Sequence, residues 1–567
     1  MSATQTQDFD AIVVGSGISG GWAAKELTEK GLKVLVLERG APVRHGLDYK
    51  GEHMPPWKIP YAGKPLRELY KEEYPIQSKV YAFNETTRHF FNNDKNNPYV
   101  YNPSKPFNWK RADVLGGRSL LWGRQVYRWS DLDFEANKRD GHGIDWPIRY
   151  KDIAPWYSYV EKFAGVSGEK LNLPHLPDGE FQKPMNLNIV ERTAKERIEK
   201  QYPGRVMTIG RAAVQTEPKN GRGACHYCGP CERGCSAGAY FSSLSSTLPA
   251  AEKTGNLTIR ADSVVENLEY DKASGKVSAV NVIDANTKER IRFTGKLVFL
   301  CASTIASTQI LLNSTSEHFP NGLANRSGVL GRYLMDHTSE VGSFGVMPGF
   351  MDKYTIGNRP NGIYIPRFRN LPDQDESVDF IRGYGIQGGS MRMNWAQMHH
   401  QISGFGARFK QALRAPGPWV FFMAGFGEHL PDKNSRMMLS NTKRDRFGIP
   451  QVEFDSAFGD NEERMRKDIL EQTAAMLKAA GARNVMSFDG NSPPGGAIHE
   501  MGTARMGEDP TQSVLNRWNQ AHDIPNLFVT DGSCMTSSSC VNPSLTYMAL
   551  TARAADYAVT QLRAGKI

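Results

Sequence analysis

Asp10-Ala11-Ile12-Val13-Val14-Gly15-Ser16-Gly17-Ile18-Ser19-Gly20 is the stretch that decides the fold. The apolar run ending at Val14 has strand character. A glycine turn over Gly15–Gly20 follows it, and then helical spacing through Ala23, Ala24 and Leu27 to Thr28. A second strand is predicted over Lys33–Leu37, ending at Glu38 with Arg39 beside it. Strand, glycine turn, helix, strand and acid is the order of a dinucleotide-binding unit. Gly15, Gly17 and Gly20 permit a tight turn and close approach of a pyrophosphate. The helix start around Ser19 offers unpaired N–H groups to its negative charge. Glu38, 23 residues after Gly15, is spaced to accept hydrogen bonds from ribose hydroxyls. Spacing alone leaves the choice of dinucleotide open.

Moving outward, residues 44–110 are polar, Pro-rich and aromatic without βα rhythm, an extended excursion or lid. Gly116-Gly117-Arg118-Ser119, with Trp122-Gly123 behind it, is a second glycine turn. Helical spacing is expected over Lys151–Ala164 and Phe241–Lys253, and strands at Leu257–Ile259, Val264–Tyr270, Val277–Asp284, Arg290–Phe293 and Lys296–Cys301. A helix over Ser303–Leu312 then repeats the strand-to-helix rhythm, so the nucleotide domain is expected to be discontinuous. From Val341 to Asp455 alternating Gly, Met and aromatic residues predict a sheet, followed by an amphipathic helix over Glu462–Ala479. The end of the chain holds His499–Gly507, a strand at Asn526–Val529, Asp531-Gly532 and a helix from Ser544. There is no internal repeat.

The chain has 567 residues, 69 basic and 60 acidic side chains and a formal charge of +9, dispersed through mixed-sign segments. That dispersal gives no nucleic-acid stripe. Apolar runs such as Ala11–Val14 and Leu297–Leu300 are strand-sized, far below the ~20 residues of a membrane span. The N-terminus shows neither a hydrophobic leader nor a twin-arginine signal, so no transmembrane segment is expected, and a folded globular protein is.

With these motifs in hand, the chain resembles the glucose–methanol–choline (GMC) oxidoreductases, flavoproteins that oxidise alcohols and sugars. The resemblance rests on Gly15–Gly20 with Glu38, the 116–119 turn and Cys301-Ala302-Ser303. It continues through Gly331-Arg332-Tyr333-Leu334-Met335-Asp336-His337, His499–Gly507, Asp531-Gly532 and Asn542-Pro543-Ser544-Leu545-Thr546. It implies an α/β fold (α+β overall), with a discontinuous Rossmann-like FAD-binding domain and a β-sheet-containing substrate domain. The expected partition gives residues 1–45, 110–135, 236–340 and 495–567 to the FAD domain and 46–109 to the excursion. Residues 136–224 and 341–494 go to the substrate domain, and 225–235 to a cysteine-rich loop. Carried over residue by residue, the FAD contacts are Gly15, Gly17, Ser19, Gly20, Glu38, Arg39, Gly116, Gly117, Ser119, Trp122, Gly123, Asp531, Gly532, Asn542 and Pro543. The catalytic pair is His499 and Asn542. Some family members bond FAD to a histidine before the tryptophan of the second glycine motif. Leu121 stands there in this chain and has no nucleophile, so a non-covalent FAD is expected.

The chemistry suits those residue types. Histidine, with a reference pKa of roughly 6.5, can take a hydroxyl proton near neutral pH. Asparagine can hold the substrate oxygen through its amide N–H without adding charge. Trp395, Trp419, Phe421 and Phe422 could line a sugar site, but core packing is the expectation for each taken singly.

Cys225, Cys228, Cys231 and Cys235 fall within eleven residues, while the other three of the seven cysteines are scattered. Their spacing is that of a bacterial iron–sulfur run, although Ser236 replaces the usual proline. A zinc knuckle, two disulfides and a loop of reduced thiols are the alternatives. The segment resembles that of bacterial multi-subunit FAD glucose dehydrogenases and glucoside 3-dehydrogenases. This implies a [3Fe–4S] or [4Fe–4S] cluster, a small export or assembly subunit, a cytochrome- or quinone-linked acceptor, and a periplasmic location, with the cytoplasm as alternative. The leading expectation is therefore a sugar or glycoside dehydrogenase, with C3 of a pyranoside as the oxidised carbon. An oxygen-dependent sugar oxidase, a choline or other alcohol dehydrogenase, and a non-catalytic assembly subunit are the alternatives.

Overall fold

A computed structural model describes residues 7–63, 65–372, 378–394 and 403–567. The opening stretch forms the strand Gln7–Val14, the helix Ile18–Glu29 and the strand Val34–Leu37. Val14 pairs in parallel with Leu37 on one side and with Leu300 on the other. Parallel strands buried on both faces read as continuous apolar runs, which is why Ala11–Val14 and Val34–Leu37 lack alternation. In the eight-stranded sheet Arg290–Leu300 lies between Gln7–Val14 and Ile524–Val529, and Leu257–Arg260 extends the other side. The hairpin Ser263–Asp271 and Lys276–Asp284 joins through Arg290–Leu300. Chain segments from the two ends of the sequence, Gln7–Val14 and Ile524–Val529, therefore help build one Rossmann-like sheet. The helices Ile18–Glu29 and Ser544–Arg563 contact one another, and both are largely buried.

The second sheet is antiparallel, in the order Arg483–Asp489, His337–Met347, Trp419–Glu428, Tyr384–Arg392, Ile363–Ile365, Thr208–Ile209. One face packs on the helix Asp460–Ala479, whose Met465, Ile469, Met476 and Leu477 share a core with Val341, Ile386, Phe421 and Met423. Trp419 and Phe421 belong to this core, Phe422 is part-exposed, and Trp395 lies outside the described residues. Period-two alternation then turns Phe426 to the opposite face, over the cavity described below.

Two sequence expectations change. The helix expected over Phe241–Lys253 is only Thr247–Glu252. Ser242, Ser245 and Ser246 hydrogen-bond among themselves and to the carbonyl of Ser242, and Ser243 donates to the carbonyl of Ser16, which competes with helical bonding. The strands expected at Arg290–Phe293 and Lys296–Cys301 are a single strand, Arg290–Leu300, serving the hairpin with its first half and the parallel sheet with its second. Among the described residues no helix is long and apolar enough to cross a membrane.

Candidate active site

A cavity of about 380 Å³ runs between the two sheets, lined by the first glycine turn, Glu38 and Arg39 and also by His499 and Asn542. Gly15 has φ +96°, and a Cβ there would stand 2.5 Å from the carbonyl oxygen of Cys301. A Cβ at Gly20 would fall 1.9 Å from the Gly15 oxygen, so glycine alone lets the helix enter the turn. At Gly17, which precedes the helix and has no side-chain cap, an added Cβ would meet no protein atom within 4 Å. The space before this helix start is thus open to a ligand, with helix N–H groups behind it, as a pyrophosphate requires. Glu38 accepts from the Ser16 hydroxyl and from the amides of Ser16 (3.1 Å) and Gly40 (2.8 Å); burial raises its pKa.

The second glycine turn closes onto the first. The Gly116 amide donates to Ser16 Oγ at 2.8 Å, and Ser119 Oγ donates to the Gly116 carbonyl. Gly117, Ser119, Trp122 and Gly123 line the cavity, and the Trp122 indole N–H is held by the Phe241 carbonyl. Gly20 and Gly116 do not line it; they hold the two turns in place. Ser19 lines it and donates to the Thr530 carbonyl, while Arg39 donates to Asn97 Oδ1. Asp531, Gly532, Asn542 and Pro543 also line it. Asp531 accepts from Ser307 and from the Ser533 amide and hydroxyl, so its carboxylate fixes the local turn. The donor-rich turns, the open helix start and the acid fit FAD.

At the other end, hydrogen bonding decides the tautomers of two histidines. His337 Nε2 lies 3.1 Å and 2.9 Å from the carbonyls of Ser538 and Ser539, which only accept, so it carries the proton. Burial lowers the His337 pKa to about 4, leaving Nδ1 with a lone pair. His499 Nδ1 is 2.8 Å from that nitrogen and must be the donor. Burial, then His337 and Arg118, hold the His499 pKa well below its ordinary value, so its Nε2 is a bare acceptor. The Asn542 amide points an N–H at Nε2 across a long 3.3 Å, and its oxygen accepts from Gln387 at 2.7 Å. The sequence expectation gives that N–H to the substrate oxygen; here it faces His499 Nε2 directly, and 3.3 Å leaves no room for an oxygen between the two nitrogens.

The segment carrying His499 is strained and clamped. Ile498 is β-branched yet has φ +67°, a conformation costing about 1–3 kcal/mol. The amides on either side of it, of Ala497 and His499, each donate to Asp336 at 3.0 Å. Burial, with Glu500 nearby, raises the Asp336 pKa to about 7. Arg118 pairs with Glu500 at 2.7 Å. Asp336 and His337 lie in the Gly331–His337 motif, which sequence reasoning noted without assigning them a role. Gln387 and Phe426 carry no local signal; they reach the cavity through strand alternation.

The cysteine segment behaves otherwise. All seven cysteines are free; Cys228 is exposed, and Cys225, Cys231 and Cys235 pack against a small cluster that includes Met185, Val214 and Tyr240. Burial pushes the Cys231 thiol up to about 12. Among the described residues no group of three or more His, Cys, Asp or Glu side chains converges to hold a metal ion. Nothing among the described residues thus supports the iron–sulfur site expected at Cys225, Cys228, Cys231 and Cys235, and these four cysteines form no disulfides. Three of the thiols pack against apolar side chains and one is exposed.

The family model described as GMC oxidoreductase matches residues 9–339 and 431–551. A 2-methyl-1,2-propanediol dehydrogenase of Mycolicibacterium austroafricanum is 28% identical, over 98% of this chain and 96% of that one. The fructose dehydrogenase large subunit of Gluconobacter japonicus is 26% identical, over 99% and 100%. A 6'''-hydroxyparomomycin C oxidase of Streptomyces lividus is 25% identical, over 99% and 93%. With two matched segments covering most of the sequence and a fold to suit, the chain belongs to the GMC oxidoreductases, FAD-dependent enzymes acting on CH–OH donors.

Proposed function

We propose that the protein oxidises a carbinol of a polyhydroxylated, sugar-like substrate, with oxygen as electron acceptor and hydrogen peroxide as product. The observation that carries this reading is the unprotonated Nε2 of His499, held beside Asn542 in a buried cavity. A substrate hydroxyl that displaces the contact between the two side chains and seats against both gives its proton to Nε2, while the Asn542 N–H turns to the oxygen as negative charge develops. His337 fixes the proton on the far nitrogen, so His499 is ready to accept without first changing tautomer. Phe426, with its ring 6.1 Å from the His499 ring, helps to exclude water. FAD, when bound, supplies the hydride acceptor. The balance is alcohol plus oxygen to carbonyl plus hydrogen peroxide.

The substrate class is supported by the polar pair Gln387 and Asn542 at the cavity wall and by the diol and fructose names of two relatives, and oxygen as acceptor by the oxidase name of a third. A pyranoside oxidised at C3 is the regiochemistry to test first. A second reading, a dehydrogenase passing electrons to another acceptor, is favoured by one observation. The four cysteines lie close enough to influence one another, and Cys231 feels Arg124, which lines the cavity. The deciding experiment is turnover of a sugar and polyol panel, with peroxide and dye reduction measured in parallel and products assigned by NMR. Peroxide formed in proportion to product supports the oxidase. Dye reduction without peroxide, together with stoichiometric iron and sulfide, supports the second reading. No flavin reduction by any alcohol removes both.

A further inference from the structure

We propose that the helix Gly406–Arg414 and the loop around Met351–Ile356 form a docking face for an anionic lipid bilayer. The helix buries none of its residues. Its spacing nevertheless segregates side chains as if it had a partner. Phe405, Phe409 and Leu413 recur every four residues, Phe405 exposed and the other two half-buried, while Arg408, Lys410 and Arg414 are exposed. From 403 to 418 the chain contains no Asp or Glu.

A second element, the loop, adds exposed apolar side chains, its one cation, Lys353, being paired with Asp352 at 2.6 Å. Tyr354 and Ile356 are 68% and 101% exposed, and Phe405 at the helix start is 92% exposed. Arg392 ties the two together: its guanidinium donates to the carbonyls of Met351 (2.7 Å) and Lys353 (2.8 Å) in the loop and of Gly417 (3.1 Å) just beyond the helix. Trp419 adds a bond to the Phe350 carbonyl at 3.0 Å. The loop and the chain just beyond the helix are therefore braced together.

The occupant follows from charge and shape. Side chains exposed this fully are separate projections, not the walls of a groove. A protein surface would have to supply a matching pocket for each, whereas the headgroup–acyl boundary receives them individually. Aromatic and aliphatic residues on one side of a short helix, with cations flanking, is the pattern of helices lying in a bilayer interface. The acid-free run of three cations complements a surface of anionic phospholipids. Neither the helix nor the loop tip contributes to the catalytic cavity, so docking and catalysis separate experimentally.

The test is co-sedimentation of the FAD-loaded full chain with phosphatidylcholine vesicles, with or without 30% phosphatidylglycerol, at about 0.1 M and 0.5 M salt. Binding is expected to the anionic vesicles only and to weaken at high salt. The triple variant Arg408→Glu, Lys410→Glu, Arg414→Glu should lose roughly a hundredfold in affinity with turnover of a soluble substrate unchanged. A second variant, Phe405→Ser with Ile356→Ser, should bind more weakly at the same charge. No vesicle binding by the unaltered protein, or equal binding by the charge-reversed variant, would overturn the proposal. So would self-association through this face in the absence of lipid affinity, which would make it a protein contact.

Discussion

The wall behind His499 and the segment 225–235 are the two places where the chain concentrates reactive side chains, and they are organised in opposite ways. Behind His499, each polar group is fixed by another: Ser538 and Ser539 carbonyls orient His337, His337 orients His499, and Asp336 clamps the strained turn. In the cysteine segment, three thiols pack against apolar side chains and one faces solvent. A chain of donors and acceptors leaves one arrangement of lowest energy, because an unpaired buried polar group costs about 1–3 kcal/mol. Thiols, weak in hydrogen bonding, impose no such choice.

The comparison breaks most visibly at His499. His499→Ala should keep FAD but slow anaerobic flavin reduction by substrate about 10²- to 10⁴-fold; stopped-flow rates within a factor of ten of normal would remove its role as proton acceptor. His337 comes next. His337→Phe leaves the His499 Nδ1–H without an acceptor and should lower kcat roughly 10- to 100-fold, as expected when a partner that orients a functional side chain is lost. His337→Gln, which can still accept there, should recover much of that loss. Equal losses in the two variants would reduce His337 to packing.

The same residue predicts a pH effect on stability. The folded pKa of His337 is depressed to about 4. Its contribution is therefore fully present above an unfolded value of about 6.5 and is lost as pH falls through 4, amounting to about 3 kcal/mol. Urea unfolding should show the stability difference between the unaltered protein and His337→Gln shrinking by that order between pH 7 and 4. Asp336 has the opposite sign: its pKa is raised to about 7, so it is a burden that grows as pH climbs from the ordinary carboxylate range through 7. The smallest effect belongs to the other region. Cys228→Ser should change stability by less than about 0.5 kcal/mol and leave peroxide-coupled turnover intact. Loss of bound iron on that substitution would show that the thiols converge after all.

These two regions also mark what can be read from sequence. The glycine turn, Glu38 and the first strands were legible because they are consecutive and their periodicity is local. His499 and Asn542 were legible because each sits inside its own motif. Their supporting residues were not: His337 reaches His499 across 162 residues, and Gln387 reaches Asn542 across 155, through a sheet whose register no local pattern states. The helix shortened to Thr247–Glu252 was misjudged because serine hydroxyls, neutral in a periodicity count, compete with the backbone. The cysteine expectation finds no support among the described residues, because ligand spacing says how near the backbones are, not where the sulfurs point.

Leu121 lines the cavity, its backbone carbonyl held by the Tyr81 hydroxyl at 3.2 Å. Leucine at this position has no nucleophile to bond the flavin, and a flavin held by non-covalent contacts alone would be a ligand in mass-action equilibrium with the fold. Its free concentration then sets how firmly the two sheets stay together, adding about 2.7 kcal/mol at a hundredfold excess over Kd. In a flavin-poor cell the chain would be short of stability before it was short of activity.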